Sequence, residues 1–170
     1  MTRAATLVVI GVWIGLLAAS WAMATASFRT VDRVLGPGLR PELQARLAPL
    51  APDDRRLVLR HVASEANRWM FRTWAMAELA LAVVLVLLAW PLGGAARALA
   101  LAAAVVVAVQ AFGLGPAILG LGRSLDFVPR PLPPATGRRF GLLHAGYMFA
   151  DVAKLLALAA AAWIIARRGT

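Results

Sequence analysis

Apolar positions dominate four stretches of this chain, about Thr6–Ser27, Trp69–Trp90, Ala98–Leu121 and Phe140–Ala166, while polar positions collect between them. Each stretch is near or above the ~20 residues that an α-helix needs to cross the hydrocarbon of a bilayer. The pattern predicts an all-α, integral membrane four-helix bundle. A single membrane domain over residues 1–170 leaves no room for a second globular core.

The segments between the runs are also patterned. Pro41-Glu42-Leu43-Gln44-Ala45-Arg46-Leu47 opens with proline, which suits a first helical position, and reads as a short amphipathic interfacial helix. Pro52-Asp53-Asp54 resembles a helix start, its acids placed at the positive end of the dipole. Neither Pro nor Gly interrupts residues 53–90, so the second span is expected to begin well outside the membrane as one long helix. Pro91-Leu92-Gly93-Gly94 predicts a tight turn joining spans two and three as an antiparallel pair. Pro129, Pro131, Pro133 and Pro134 predict an extended, stiff connection before span four.

The first run also has the outline of a signal peptide, with Arg3, an apolar stretch, and small-residue sites at Ala22-Met23-Ala24 and Ala24-Thr25-Ala26. It carries in addition Gly11 and Gly15, continued by Ala18 and Ala22 at intervals that keep small residues along one face. Such a stripe lets another helix backbone approach closely, and a retained, helix-packing span is expected.

Composition narrows the chemistry. Cysteine is absent, which excludes disulfides, thiolate metal sites and cysteine nucleophiles, and the histidines are His61 and His144 alone. A metal cluster would need carboxylates or another subunit to complete two histidines, and none is expected. The net charge of +10 is carried by arginine, Lys154 being the single lysine. These arginines flank apolar spans, so they read as topology determinants and contacts for anionic lipid headgroups rather than as a nucleic-acid surface. Twelve of them lie in the connections between spans one and two and between spans three and four, against Arg3, Arg97, Arg167 and Arg168 at the other side. The positive-inside rule then predicts cytoplasmic 1–2 and 3–4 connections with both termini outside, in a bacterial inner membrane.

Ionisable groups within the runs are the candidate functional residues, because such groups are costly at membrane depth and usually face a bundle interior. At about 100° per residue, His144, Tyr147, Asp151 and Lys154 fall within a sector of roughly 80° on span four. Asp151 and Lys154 stand at i,i+3 and can pair. On span two, His61, Glu65, Arg68 and Arg72 share one face, while Glu78 points elsewhere and needs a different partner. Counting inward predicts an outer polar layer of Arg72, His144 and Tyr147. It predicts a buried layer of Glu78, Gln110, Asp151 and Lys154 roughly 15 Å deep. Span three should kink beside that layer, at Gly113, Gly115 and Pro116. The layer suits a proton or small-cation site and equally a rigid packing core.

Several of these residues resemble the transmembrane-protein-205-like family of uncharacterised four-helix membrane proteins. The likeness lies in Trp13-x-Gly15 followed by Phe28, in Pro116, and in Phe140-Gly141-Leu142-Leu143-His144 with a polar residue seven positions later. The resemblance implies a four-helix membrane fold with a long cytoplasmic first connection, and no agreed activity. This chain departs from it in having Asp151 where the family usually has Asn, in adding Lys154, and in having Ala117 where Arg often follows the proline. A more distant likeness, through the Trp-x-Gly first span and the last-span His and Lys, is to haem-binding oxidases of the porphyrin pathway and copper-resistance membrane domains.

Three functions follow as expectations. The first is a non-enzymatic accessory or scaffold subunit, without a cofactor, packing against protein partners or copies of itself in the bilayer. The second is a small proton- or cation-coupled transporter using Glu78, Asp151 and Lys154. The third is a haem- or quinone-linked redox protein using His144. No Ser-His-Asp spacing, nucleophile elbow, phosphate loop or zinc signature supports hydrolytic catalysis.

Overall fold

A computed structural model describes residues 1–36, 40–128 and 131–167. Pro129 of the proline-rich connection, and Arg130 and Arg168 of the charge count, lie outside the described residues. The elements are α1 (Thr2–Val34), α2 (Pro41–Leu47), α3 (Pro52–Ala89), α4 (Gly94–Val109), α5 (Gly115–Ser124) and α6 (Pro134–Arg167). A 3₁₀ turn, Trp90–Leu92, follows α3, and a π-helical turn, Gln110–Leu114, joins α4 to α5 in one continuous rod. No strand occurs among the described residues. Four helical units are long and apolar enough to cross a membrane: Thr2–Val34, Pro52–Leu92, Gly94–Ser124 and Pro134–Arg167.

The four rods form an up-down-up-down bundle in which α1 packs on α3 and α6, and α4 packs on the same two. The reason is the spacing of the inward residues. Tyr147, Asp151, Lys154, Leu158, Ala161 and Ile165 face inward on α6, separated alternately by four and three residues. Thr6, Ile10, Trp13, Leu17 and Ser20 repeat that rhythm on α1, and Ala96, Ala100, Ala103, Val107 and Gln110 repeat it along the third rod. A three–four alternation is the seam of a gently supercoiled bundle. The alanines of α4 let it approach Ala82, Leu85 and Ala89 closely.

Outside, the bundle is apolar. Val8, Val12, Leu16, Val83, Leu87, Val105, Phe112, Phe149 and Leu156 are all exposed, while Glu78, Asp151 and Lys154 are buried. A protein stable in water has the opposite distribution, and contiguous outward apolar surface of this kind needs an apolar surround.

Besides the expected early start of α3, the helix ends depart furthest from the apolar runs in two places. α1 continues to Val34, seven residues past its run, and α6 starts at Pro134, six residues before its run. The stiff extended connection expected through Pro134 therefore stops short. Proline is accepted at a first helical position because its missing N–H has no intrahelical partner there, and the Pro133 carbonyl accepts from the Gly137 N–H at 2.9 Å. α3 begins at Pro52 and runs unbroken to Ala89. α2 has Pro41 in its first turn and buries none of its residues. The Arg55 guanidinium donates to the carbonyls of Leu50 (2.8 Å) and Ala48 (3.2 Å), which fastens the end of α2 to the start of α3. At the opposite end, Gly93 turns the chain into α4 with φ 84°, a conformation that costs glycine little.

Candidate functional site

One ammonium organises the middle of the bundle. Lys154 has 0% of its surface exposed, and its three N–H donors are all engaged. It donates to Glu78 Oε1, to Gln110 Oε1 at 2.9 Å and to Asp151 Oδ1 at 3.0 Å. Gln110 fits between the charges in one orientation only. Its carbonyl oxygen meets the ammonium, while Nε2 donates to Asp151 Oδ1 (2.8 Å) and to the Tyr147 carbonyl (3.2 Å). A flipped amide would turn donors on Lys154.

α1 supplies the remaining donors. Trp13 Nε1 donates to Glu78 Oε1, and Trp21 Nε1 to Asp151 Oδ2, each at 2.9 Å. Every rod thus contributes: two indoles from α1, Glu78 from α3, Gln110 from the π turn, Asp151 and Lys154 from α6. Among the described residues no buried side-chain nitrogen or oxygen lacks a partner. A network completed in this way rigidifies a core, whereas one missing member exposes the desolvation cost of the rest. Two carboxylates are balanced by one ammonium.

The π turn is what aims Gln110. Pro116 has no N–H to continue an α-helical ladder, and one extra residue per turn absorbs the defect, with the Gly115 N–H bonding to the Gln110 carbonyl. A Cβ on Gly115 would stand 2.8 Å from that carbonyl oxygen, closer than atoms tolerate. Gly113, expected to share in the kink, faces open space. Gly115→Ala is therefore expected to shift the backbone and cost about 1–3 kcal/mol, with Gly113→Ala neutral or slightly stabilising. Thermal unfolding of both variants in detergent checks the contrast.

The structure brings Glu78, Gln110, Asp151 and Lys154 together. It does not assemble the outer layer. Tyr147 is buried, its ring edge-on to Phe71 at 6.0 Å, but Arg72 and His144 are exposed, and His144 stacks on Phe140 at 6.3 Å. His144 lies only about 20° from Asp151 on the helical wheel but about two turns nearer the start of α6, where it is exposed. Gly11, Gly15, Ala18 and Ala22 are exposed as well, and a Cβ on either glycine would touch nothing within 4 Å. Among the described residues, then, the small-residue stripe lies on the outside of the bundle.

A second cluster ties the α5–α6 connection to α3. Arg68, buried with its side chain 6% exposed, donates to Asp126 Oδ1 and to Glu65 Oε1. His61 Nδ1 lies 3.2 Å from Asp126 Oδ2, and its ring leans on Phe127 at 4.9 Å. His61, Glu65 and Asp126 place ligand atoms within 4.8 Å of one another. Arg68 already occupies an oxygen of each carboxylate, so the chemistry of this group is that of an ion-pair latch.

Three residues of these sites escape a reading of spacing alone: Trp13, Trp21 and Asp126. Midspan tryptophans look like interfacial or packing residues. The available signal is that Trp13 and Trp21, eight residues apart and about 80° around the helix, lie towards the face of Ile10 and Leu17. A buried indole there needs an acceptor. Comparison with family models, curated proteins and solved structures gives no match to this chain, so the site is read from its geometry.

Proposed function

We propose that this chain is a non-enzymatic integral membrane protein, an accessory or scaffold subunit that packs against a larger assembly and needs no cofactor. The observation that carries the reading is the completeness of the Lys154 cluster. Each of its ammonium donors, both amide donors of Gln110 and both indoles are already used within the chain. Little is left to recognise a substrate, and much is invested in holding four helices in one register. The unpartnered Gly11–Ala22 face of α1 is where a partner helix approaches in this proposal. We further propose cytoplasmic 1–2 and 3–4 connections, from the arginine asymmetry, and kinship with the transmembrane-protein-205-like family.

A second reading, a proton- or cation-coupled carrier, is favoured by one feature: two buried carboxylates share a single ammonium. Asp151→Asn separates the two. The asparagine oxygen still accepts from Lys154 and Gln110, and only the Trp21 bond is lost, a cost of about 1–3 kcal/mol at most, offset by removing an uncompensated charge. A scaffold carrying Asp151→Asn should accumulate and co-purify with its partners like the wild type. A carrier should lose proton-coupled uptake in proteoliposomes altogether.

The direct test is extraction of the native protein in a mild detergent, with mass analysis and an absorption spectrum of what co-purifies. A stoichiometric larger complex supports the scaffold. A lone small oligomer favours the carrier, and a Soret band would replace both with a haem protein.

A further inference from the structure

A groove of about 430 Å³ opens between α5 and the first turns of α6, lined by Ala117, Ala135, Leu142, Leu143, Arg138 and Arg139. Its lining is mostly hydrocarbon, completed by two consecutive arginines. Both arginines are exposed, and neither has an ion pair or hydrogen bond among the described residues. The acid of the neighbouring connection, Asp126, is already held by Arg68 and His61. Among the described residues, then, no acid pairs with these two arginines, which stand beside an apolar slot that includes the exposed side chain of Leu142.

We propose that this groove holds one anionic phospholipid, its phosphate on Arg138 and Arg139 and an acyl chain against Ala117, Leu142 and Leu143. Guanidiniums bind phosphate oxygens through paired N–H donors, and basic pockets between membrane helices at the cytoplasmic face select anionic headgroups. The assignment rests on the membrane reading given above, which places the ends of α5 and α6 at a bilayer surface. Charge complementarity selects the headgroup, and the apolar lining selects a lipid over a free anion.

Native mass spectrometry of the full chain, loaded with phosphatidylglycerol or phosphatidylcholine, tests it. The wild type should retain one phosphatidylglycerol in preference to phosphatidylcholine. Neutralising both arginines (Arg138→Gln with Arg139→Gln) should weaken that retention about thirtyfold. Ala117→Trp, which fills the slot and leaves both arginines, should weaken it too. A control pair at the same end, Arg46→Gln with Arg56→Gln, should leave it unchanged. Equal retention of the two lipids, an equal loss in the control pair, or loss of a dimer instead of a lipid overturns the proposal alone. A protein that stays dispersed in water after detergent and lipid are removed overturns the membrane reading along with it.

Discussion

Lys154→Met is expected to destabilise the protein by about 3–5 kcal/mol, the cost of leaving two buried carboxylates without their shared cation. Methionine fills nearly the same volume and adds no polar group, so lost packing contributes little. The decisive comparison is the triple variant Lys154→Met, Glu78→Gln, Asp151→Asn. Removing all three charges together should recover most of the loss, because a well-packed neutral core is often as stable as an ionic one. Unfolding in a denaturing detergent titration measures both. A single variant as stable as the wild type would mean that the ammonium is not what holds α3, the π turn and α6 in register.

Trp13 should give the next largest effect. Among the described residues it is the largest of the fully buried side chains. Trp13→Ala is expected to cost about 3–5 kcal/mol through the cavity it leaves. Trp13→Phe preserves most of the apolar volume and isolates the indole N–H, whose loss deprives Glu78 of a donor at a cost of about 1–3 kcal/mol. If the N–H works through Glu78, Trp13→Phe in a Glu78→Gln background should cost measurably less than in the wild type. Additivity in that cycle would reduce Trp13 to a space-filler.

The four membrane-length helical units, the long extension of α3, the Gly93 turn and the short α2 were all legible because each depends on local signals. Apolar run length sets a span, proline sets a helix start, and glycine permits the one positive φ among the described residues. The Asp151–Lys154 pair was legible for the same reason, being one helix turn apart. Where a prediction needed the rotation of one helix against another, spacing was insufficient. His144 and Asp151 are about 20° apart on a helical wheel, yet one is exposed and the other buried. The difference arises because each faces different neighbours at its own height along the bundle.

What the sequence determines by itself is therefore the parts: apolar rods long enough to cross a membrane, with a few ionisable groups that hydrocarbon would not tolerate alone. Only the tertiary structure decides their partners. Trp13 reaches Glu78 across 65 residues of chain and Trp21 reaches Asp151 across 130, and no local rule connects positions so far apart. The physical reason is that a buried charge is satisfied by whatever donor the packing of neighbouring helices delivers. That packing is set by the whole three–four seam together, and by a π turn whose consequence, the aim of Gln110, is felt on another helix.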